Sequence, residues 1–111
     1  MSEPHDDLLP EIGHVLTPGE ILDAGGRATD AVLAVTDRRL LVATGNRVAL
    51  DIGYHELRRI QFDIERRRPA TLVIVPDSPD HEPQVLAIPH AELRRISNAL
   101  RIVGERFSQL D

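Results

Sequence analysis

From Arg47 to Ile52 the side chains alternate strictly, with Val48, Leu50 and Ile52 on one face and Arg47, Ala49 and Asp51 on the other. Ile60, Phe62 and Ile64 repeat the pattern against Gln61, Asp63 and Glu65. A period of two belongs to a β-strand with one face in a core; an amphipathic helix does not have it. Beyond Pro89 the period changes. Leu93, Ile96, Leu100, Val103 and Phe107 recur at spacings of three and four, which aligns them on one helix face, with Arg94, Arg95, Arg101, Glu105 and Arg106 around the rest. A strand-patterned chain that ends in one amphipathic helix calls for an antiparallel β-structure with an apolar surface for the helix to cover.

The remaining strands are short. They are read at Glu20 to Ala24, loosened by Gly25 and Gly26, and at Ala31 to Thr36, Leu40 to Thr44, Thr71 to Pro76 and Val85 to Ile88. Asp37 marks the reversal in TDRR, because its carboxylate can hold nearby backbone amides. Gly45-Asn46 marks the next, because both residues tolerate the positive φ of a two-residue hairpin. TLVIVP is apolar on both faces and β-branched, the pattern of a strand covered on each side. Pro89 and Glu92 suit a helix start, and the helix ends near Gln109. A chain of 111 residues has room for one core, placed in residues 16–111. Residues 1–15 mix acids and prolines with Leu8, Leu9, Ile12 and Val15, and read as a flexible acidic tail with one short helical turn docking on the body.

Three segments in order, LTPGEIL, AVLAVTDRRLLVAT and IGYHELRRIQFD, resemble the bacterial pleckstrin-homology-like domains, especially the YokE-like group. The resemblance spans about residues 16 to 108. It implies a mainly β (α+β) fold: a PH-like barrel of about seven antiparallel strands, plugged by one C-terminal amphipathic helix. It also implies a structural hairpin role for Thr36, Asp37, Arg39 and Leu40, with the Arg39 stem over the sheet and its head in water. In the eukaryotic lipid-binding pattern several bases gather around the first hairpin loop. Here that loop is AGGRATD, with Arg27 as its only base, which speaks against phosphoinositide recognition.

Thirteen arginines and no lysine face eighteen acids, for a net charge of −5. Residues 1–37 hold eight acids against Arg27 alone, whereas residues 38–68 hold eight arginines against Asp51, Glu56, Asp63 and Glu65. With that net charge, one tyrosine, two phenylalanines and no tryptophan, nucleic acid is not an expected partner. The loop Asp77 to Glu82 gathers oxygen and imidazole groups without any established ligand spacing, so no metal is expected. No nucleophile, base and orienting group can be picked out, and GEILDAGGRA is not a P-loop. The chain is accordingly read as not an enzyme, with no catalytic residue, cofactor or small-molecule substrate. With no cysteine, disulfides and thiolate zinc sites are excluded. No apolar run approaches the roughly 18 residues of a membrane span. The acidic N-terminus lacks the layout of a secretory signal, and a cytoplasmic location is expected.

The reading that follows is a non-enzymatic interaction module that binds protein, a second copy or another partner, through its barrel surface and strand edges. The resemblance points the same way, since some bacterial relatives form ring oligomers. Ranked second is a peripheral adaptor at the inner face of the membrane, which grips anionic lipid or acidic groups through Arg66, Arg67 and Arg68, joined by Arg47. The helix stripe supplies the first test. Burying its five side chains is worth on the order of 10 kcal/mol before entropy. Leu100→Asp is expected to abolish cooperative unfolding; a melting curve close to wild type would show that this face is not core.

Overall fold

The computed structural model describes residues 5–45 and 47–110. Its seven strands are β1 (Leu22–Arg27), β2 (Val32–Thr36), β3 (Leu40–Thr44), β4 (Arg47–Ile52), β5 (Leu57–Asp63), β6 (Ala70–Pro76) and β7 (Gln84–Ile88). They form two antiparallel sheets, of order β1-β2-β3-β4 and β5-β6-β7. A short helix, α1 (Leu9–Ile12), precedes them between two 3-10 turns, and the long helix α2 (Leu93–Ser108) follows a 3-10 turn at His90–Glu92. No described helix is long and apolar enough to cross a membrane. Asn46, expected with Gly45 in the β3–β4 turn, lies outside the described residues, while Gly45 takes a φ of 60° that favours glycine.

The inner faces of both sheets and the buried face of α2 share one core. Leu33, Val35, Leu40, Val42, Leu50 and Ile52 come from the first sheet, Leu72, Ile74, Leu86 and Ile88 from the second, and Ile96, Ala99 and Val103 from α2. Leu93 and Leu100 pack at its margin. The helix lies chiefly along β1, with further contacts to β2. Phe107, at the end of the stripe, is 47% exposed. One turn beyond Val103, it lines a surface cleft against β5 and stays outside the interior.

A second apolar cluster sits on the opposite face of the first sheet, where Val32, Ala34, Leu41 and Ala43 are covered by Leu8 and Ile12. All five residues of β2 are therefore buried, and so are four of the five in β3. Cover on both faces, expected for TLVIVP, belongs instead to these two strands. In β6 only one face is enclosed: Leu72 and Ile74 are buried, Val73 and Val75 are half-buried, and Thr71 is exposed. The outer residues of β6 stand opposite Arg59, Gln61 and Val85 on the neighbouring strands, all three of them exposed.

The two glycines expected to loosen the first strand lie inside it. A Cβ at Gly25 would overlap the Leu33 carbonyl oxygen and stand 2.7 Å from Leu8 Cδ1; one at Gly26 would stand 2.9 Å from Ile96 Cδ1. Their bareness lets the N-terminal segment and α2 approach the same strand. Gly25→Ala is expected to destabilise the fold by about 2 kcal/mol through overpacking, seen as a lower urea midpoint with unchanged slope. An unaltered midpoint would mean that the approach relaxes without cost.

Candidate functional site

The sequence's densest positive charge, Arg66 to Arg68, occupies the exposed loop between β5 and β6. His90 Nε2, in its protonated tautomer, can donate to the backbone oxygens of Glu65 and Arg68, at 2.9 and 2.7 Å. The loop backbone is thus tied to the start of α2 while its arginines face solvent. Arg47 is not part of this group. It lines a hollow with Asp80, His81, Glu82 and Gln84, beyond the far end of β6. The seven residues of β6 separate the two sites by on the order of 20 Å. In the 77–83 loop, His81 lies 3.5 Å from Glu56, and among the described residues no three His, Asp or Glu side chains converge as a metal site.

A different place combines shape with charge. Between β5 and α2 runs a cleft of about 200 Å³ lined by Leu57, Ile60, Leu100, Val103, Gly104 and Phe107, with Arg58 and Arg59 along the strand. β5 pairs with β6 on one side only, so its other edge is free of strand partners among the described residues. The β5–β6 register shifts between Leu57 and Arg59, which makes Arg58 the extra residue of a bulge. Bulges recur where a strand must re-aim a side chain. Arg58 and Arg59 are both exposed and have no ion pair among the described residues. At the sequence level they belong to the IGYHELRRIQFD strand signature; what singles them out is the cleft they line together with α2 residues, which local sequence does not reveal.

The hairpin residues serve the fold. Thr36 accepts the Arg38 and Arg39 backbone N–H groups on its Oγ1 and donates that hydroxyl to Glu20 Oε2 at 2.7 Å. Asp37 Oδ1 accepts the Ile21 N–H at 2.8 Å, and Leu40 is fully buried in the core. The Arg39 head is not in water. Its Nε and Nη2 each donate to Glu20 at 2.8 Å, Nη1 donates to Asp51 at 2.7 Å, and Nη2 also reaches the Val15 carbonyl at 2.6 Å. The Glu20 side chain has no exposure, so Arg39 must follow it inward. Arg38 is exposed and donates to Thr17 Oγ1.

A second cluster adjoins the first. Tyr54 donates its hydroxyl to the Thr36 carbonyl, and Arg106 of α2 donates to that carbonyl, to Tyr54 Oη and to Asp23. The Arg106 guanidinium also lies 5.7 Å from the Tyr54 ring centre, within cation–π range. Burial pushes the Tyr54 hydroxyl pKa up, with opposition from Arg106. Glu20, Asp23, Tyr54 and Arg106 escaped the sequence reading because their partners are remote in the chain.

Hydrogen bonds from Arg39 hold the Glu20 carboxyl from its ordinary 4.5 down to about 2, and the Arg39 pKa rises in turn. A depressed carboxyl stabilises the fold at pH above its unfolded value, and that stability is lost as pH falls through the folded value. The contribution is roughly 3 kcal/mol, present above about pH 4.5 and gone near pH 2. Glu20→Gln is therefore expected to lower stability at neutral pH and to flatten its decline between pH 4.5 and 2. Urea titrations across that range check it; an undiminished acid slope in the variant would show that another carboxylate governs acid unfolding.

No protein-family model matches the sequence, and no curated protein matches it. Among solved structures the chain is similar to the pleckstrin homology domain from Shewanella amazonensis, with a TM-score of 0.64 and 17% identity over 92% of this chain and 96% of that one. It is also similar to a DUF1696 family protein with a pleckstrin-homology domain from Shewanella loihica, with a TM-score of 0.56 and 19% identity over 88% and 98% of the two chains. At such identities the likeness is one of fold. The two antiparallel sheets and the C-terminal helix make a bacterial pleckstrin-homology-like fold, its barrel left open rather than closed.

Proposed function

We propose that this chain is a non-enzymatic interaction module of the YokE-like group that binds protein, a second copy or another partner, at the free edge of β5 beside α2. The observation that carries the reading is the coincidence of an unpaired strand edge with an apolar cleft. An open edge offers backbone donors and acceptors to an added strand, and pockets beside it give side-chain selectivity. The cleft lining contains apolar side chains and arginine, with no nucleophile and base in reach of each other. That composition suits binding and not bond chemistry. We place the module in the cytoplasm. Membrane contact through Arg66, Arg67 and Arg68 ranks second, since the separation of Arg47 from that loop leaves it without a broad basic face.

Gly104 gives a clean test, because a Cβ there meets nothing within 4 Å. Gly104→Trp is expected to fill the cleft from the helix side, with an unchanged urea midpoint as the check that the core is intact. With a photo-crosslinking benzoylphenylalanine in place of Gln61, in cells, the expected result is one recurring adduct, with the same chain or a single partner. That adduct should disappear in the Gly104→Trp background. Adducts that persist there, or that arise equally from a probe at Val85 on β7, would assign binding to another surface.

A further inference from the structure

Most arginines packed on the body already have acids to satisfy them. Arg27 meets Glu11 at 2.9 Å, Arg39 meets Glu20 at 2.8 Å, Arg95 meets Asp7 at 2.9 Å and Arg101 meets Glu105 at 2.6 Å, while Arg106 pairs with Asp23. Arg58 and Arg59 depart from this rule: they are adjacent, both exposed, and neither is ion-paired among the described residues. Arg58 shares a hollow with Asp77 and Glu82 without forming an ion pair to either, which leaves Arg59 as the less compensated charge of the two and the one an approaching acid gains most from. Arg66 and Arg67 share the exposure but lie on the β5–β6 loop and do not line the β5–α2 cleft.

The size of the cleft narrows what it can hold. At about 200 Å³ it falls below the roughly 300 to 1,000 Å³ of small-molecule sites, and has room for one or two side chains. Strand geometry then links the two features. Successive residues of a strand face opposite ways, and Ile60 is turned to the cleft while Arg59 and Gln61 are exposed on the outer face. A strand added along β5 takes the same alternation. Residues opposite Ile60 enter the cleft, and their neighbours meet Arg59 on the outside. Asp63 lies further along that outer face, where Gln61 Nε2 donates to it at 3.0 Å, so acid is favoured only toward the Arg58–Arg59 end.

We propose that the β5–α2 cleft takes an extended acidic segment of a partner protein, which lays an apolar side chain against Ile60 and Phe107 and sets a neighbouring carboxylate against Arg59, with Arg58 beside it. This rests on the reading that the free edge of β5 is the binding surface. Charge gives the selection, and the strand edge with its cleft gives the position.

The test is an NMR titration of the isotope-labelled full chain with three capped hexapeptides: alternating leucine and aspartate, alternating leucine and lysine, and the aspartate peptide with a central proline. The aspartate peptide is expected to shift the amides of Leu57 to Asp63 and of Leu100 to Phe107. It should bind at least ten-fold more tightly than the lysine peptide, and the proline peptide should be weakened because it cannot complete the added strand. Arg58→Glu/Arg59→Glu should reverse the preference, and Arg58→Gln/Arg59→Gln should erase it, each with its amide dispersion retained. Equal binding of the aspartate and lysine peptides at the cleft would overturn the acidic partner and leave the edge reading standing. Peptides that leave β5 and α2 unshifted would overturn both. If the aspartate peptide causes no shifts but phosphatidylserine vesicles bind wild type and not the charge-reversed variant, the occupant is a membrane and the proposal falls.

Discussion

A carboxylate closed off from water keeps its charge only with a counter-charge and hydrogen bonds, and this fold holds one such group where several of its segments meet. Glu20 has a fully enclosed side chain, and Arg39 answers it with two hydrogen bonds. The same guanidinium reaches Asp51 in β4 and the Val15 carbonyl of the N-terminal segment. One ion pair thus ties together the approach to β1, the β2–β3 hairpin, β4 and the segment that covers the outer face of the first sheet. Replacing only one partner would leave a poorly compensated charge, which costs roughly 3 to 5 kcal/mol in buried pairs.

The neighbouring Tyr54 and Arg106 extend the constraint to α2. Thr36 presents its carbonyl to both of them, while its hydroxyl belongs to Glu20. Asp23, which receives the other side of Arg106, is the unpaired residue where the β1–β2 register shifts. A bulge turns that carboxylate toward the helix. Helix placement is therefore set at two points: apolar packing of Ile96, Ala99 and Val103, and a polar anchor one turn later. The hydrophobic stripe alone allows the helix to slide or rotate; the anchor removes that freedom.

What the sequence discloses is what depends on neighbours in the chain. Strict alternation in RVALDI, the reversal at Asp37 and the change of period after Pro89 are local, and the strands, hairpin and helix are legible from them. The strand boundaries near Gly25 and Gly26 are not, because those glycines are inside β1 for the sake of Leu8, Leu33 and Ile96, which arrive from elsewhere. TLVIVP and AVLAVT look alike as strings, yet only the second is covered on both faces, since the covering segment is the one that ends at Val15. Arg39 is visible as a turn residue, but its partner Glu20 is nineteen positions away, and no pattern within a strand or turn points that far.

The same logic explains why the densest run of charge and the β5–α2 cleft lie in different places. Arg66, Arg67 and Arg68 are conspicuous as a run, but they stand on an exposed loop and do not line the β5–α2 cleft. Arg58 and Arg59 are less conspicuous, and they border a cleft because α2, held at one end by Arg106, leaves β5 with an uncovered edge and Phe107 half in solvent. A helix that closed over this edge would have to carry Phe107 inward and cover two charged side chains without partners, at a cost of several kcal/mol. On the reading proposed above, a partner's carboxylate supplies the counter-charge that Arg59 lacks among the described residues.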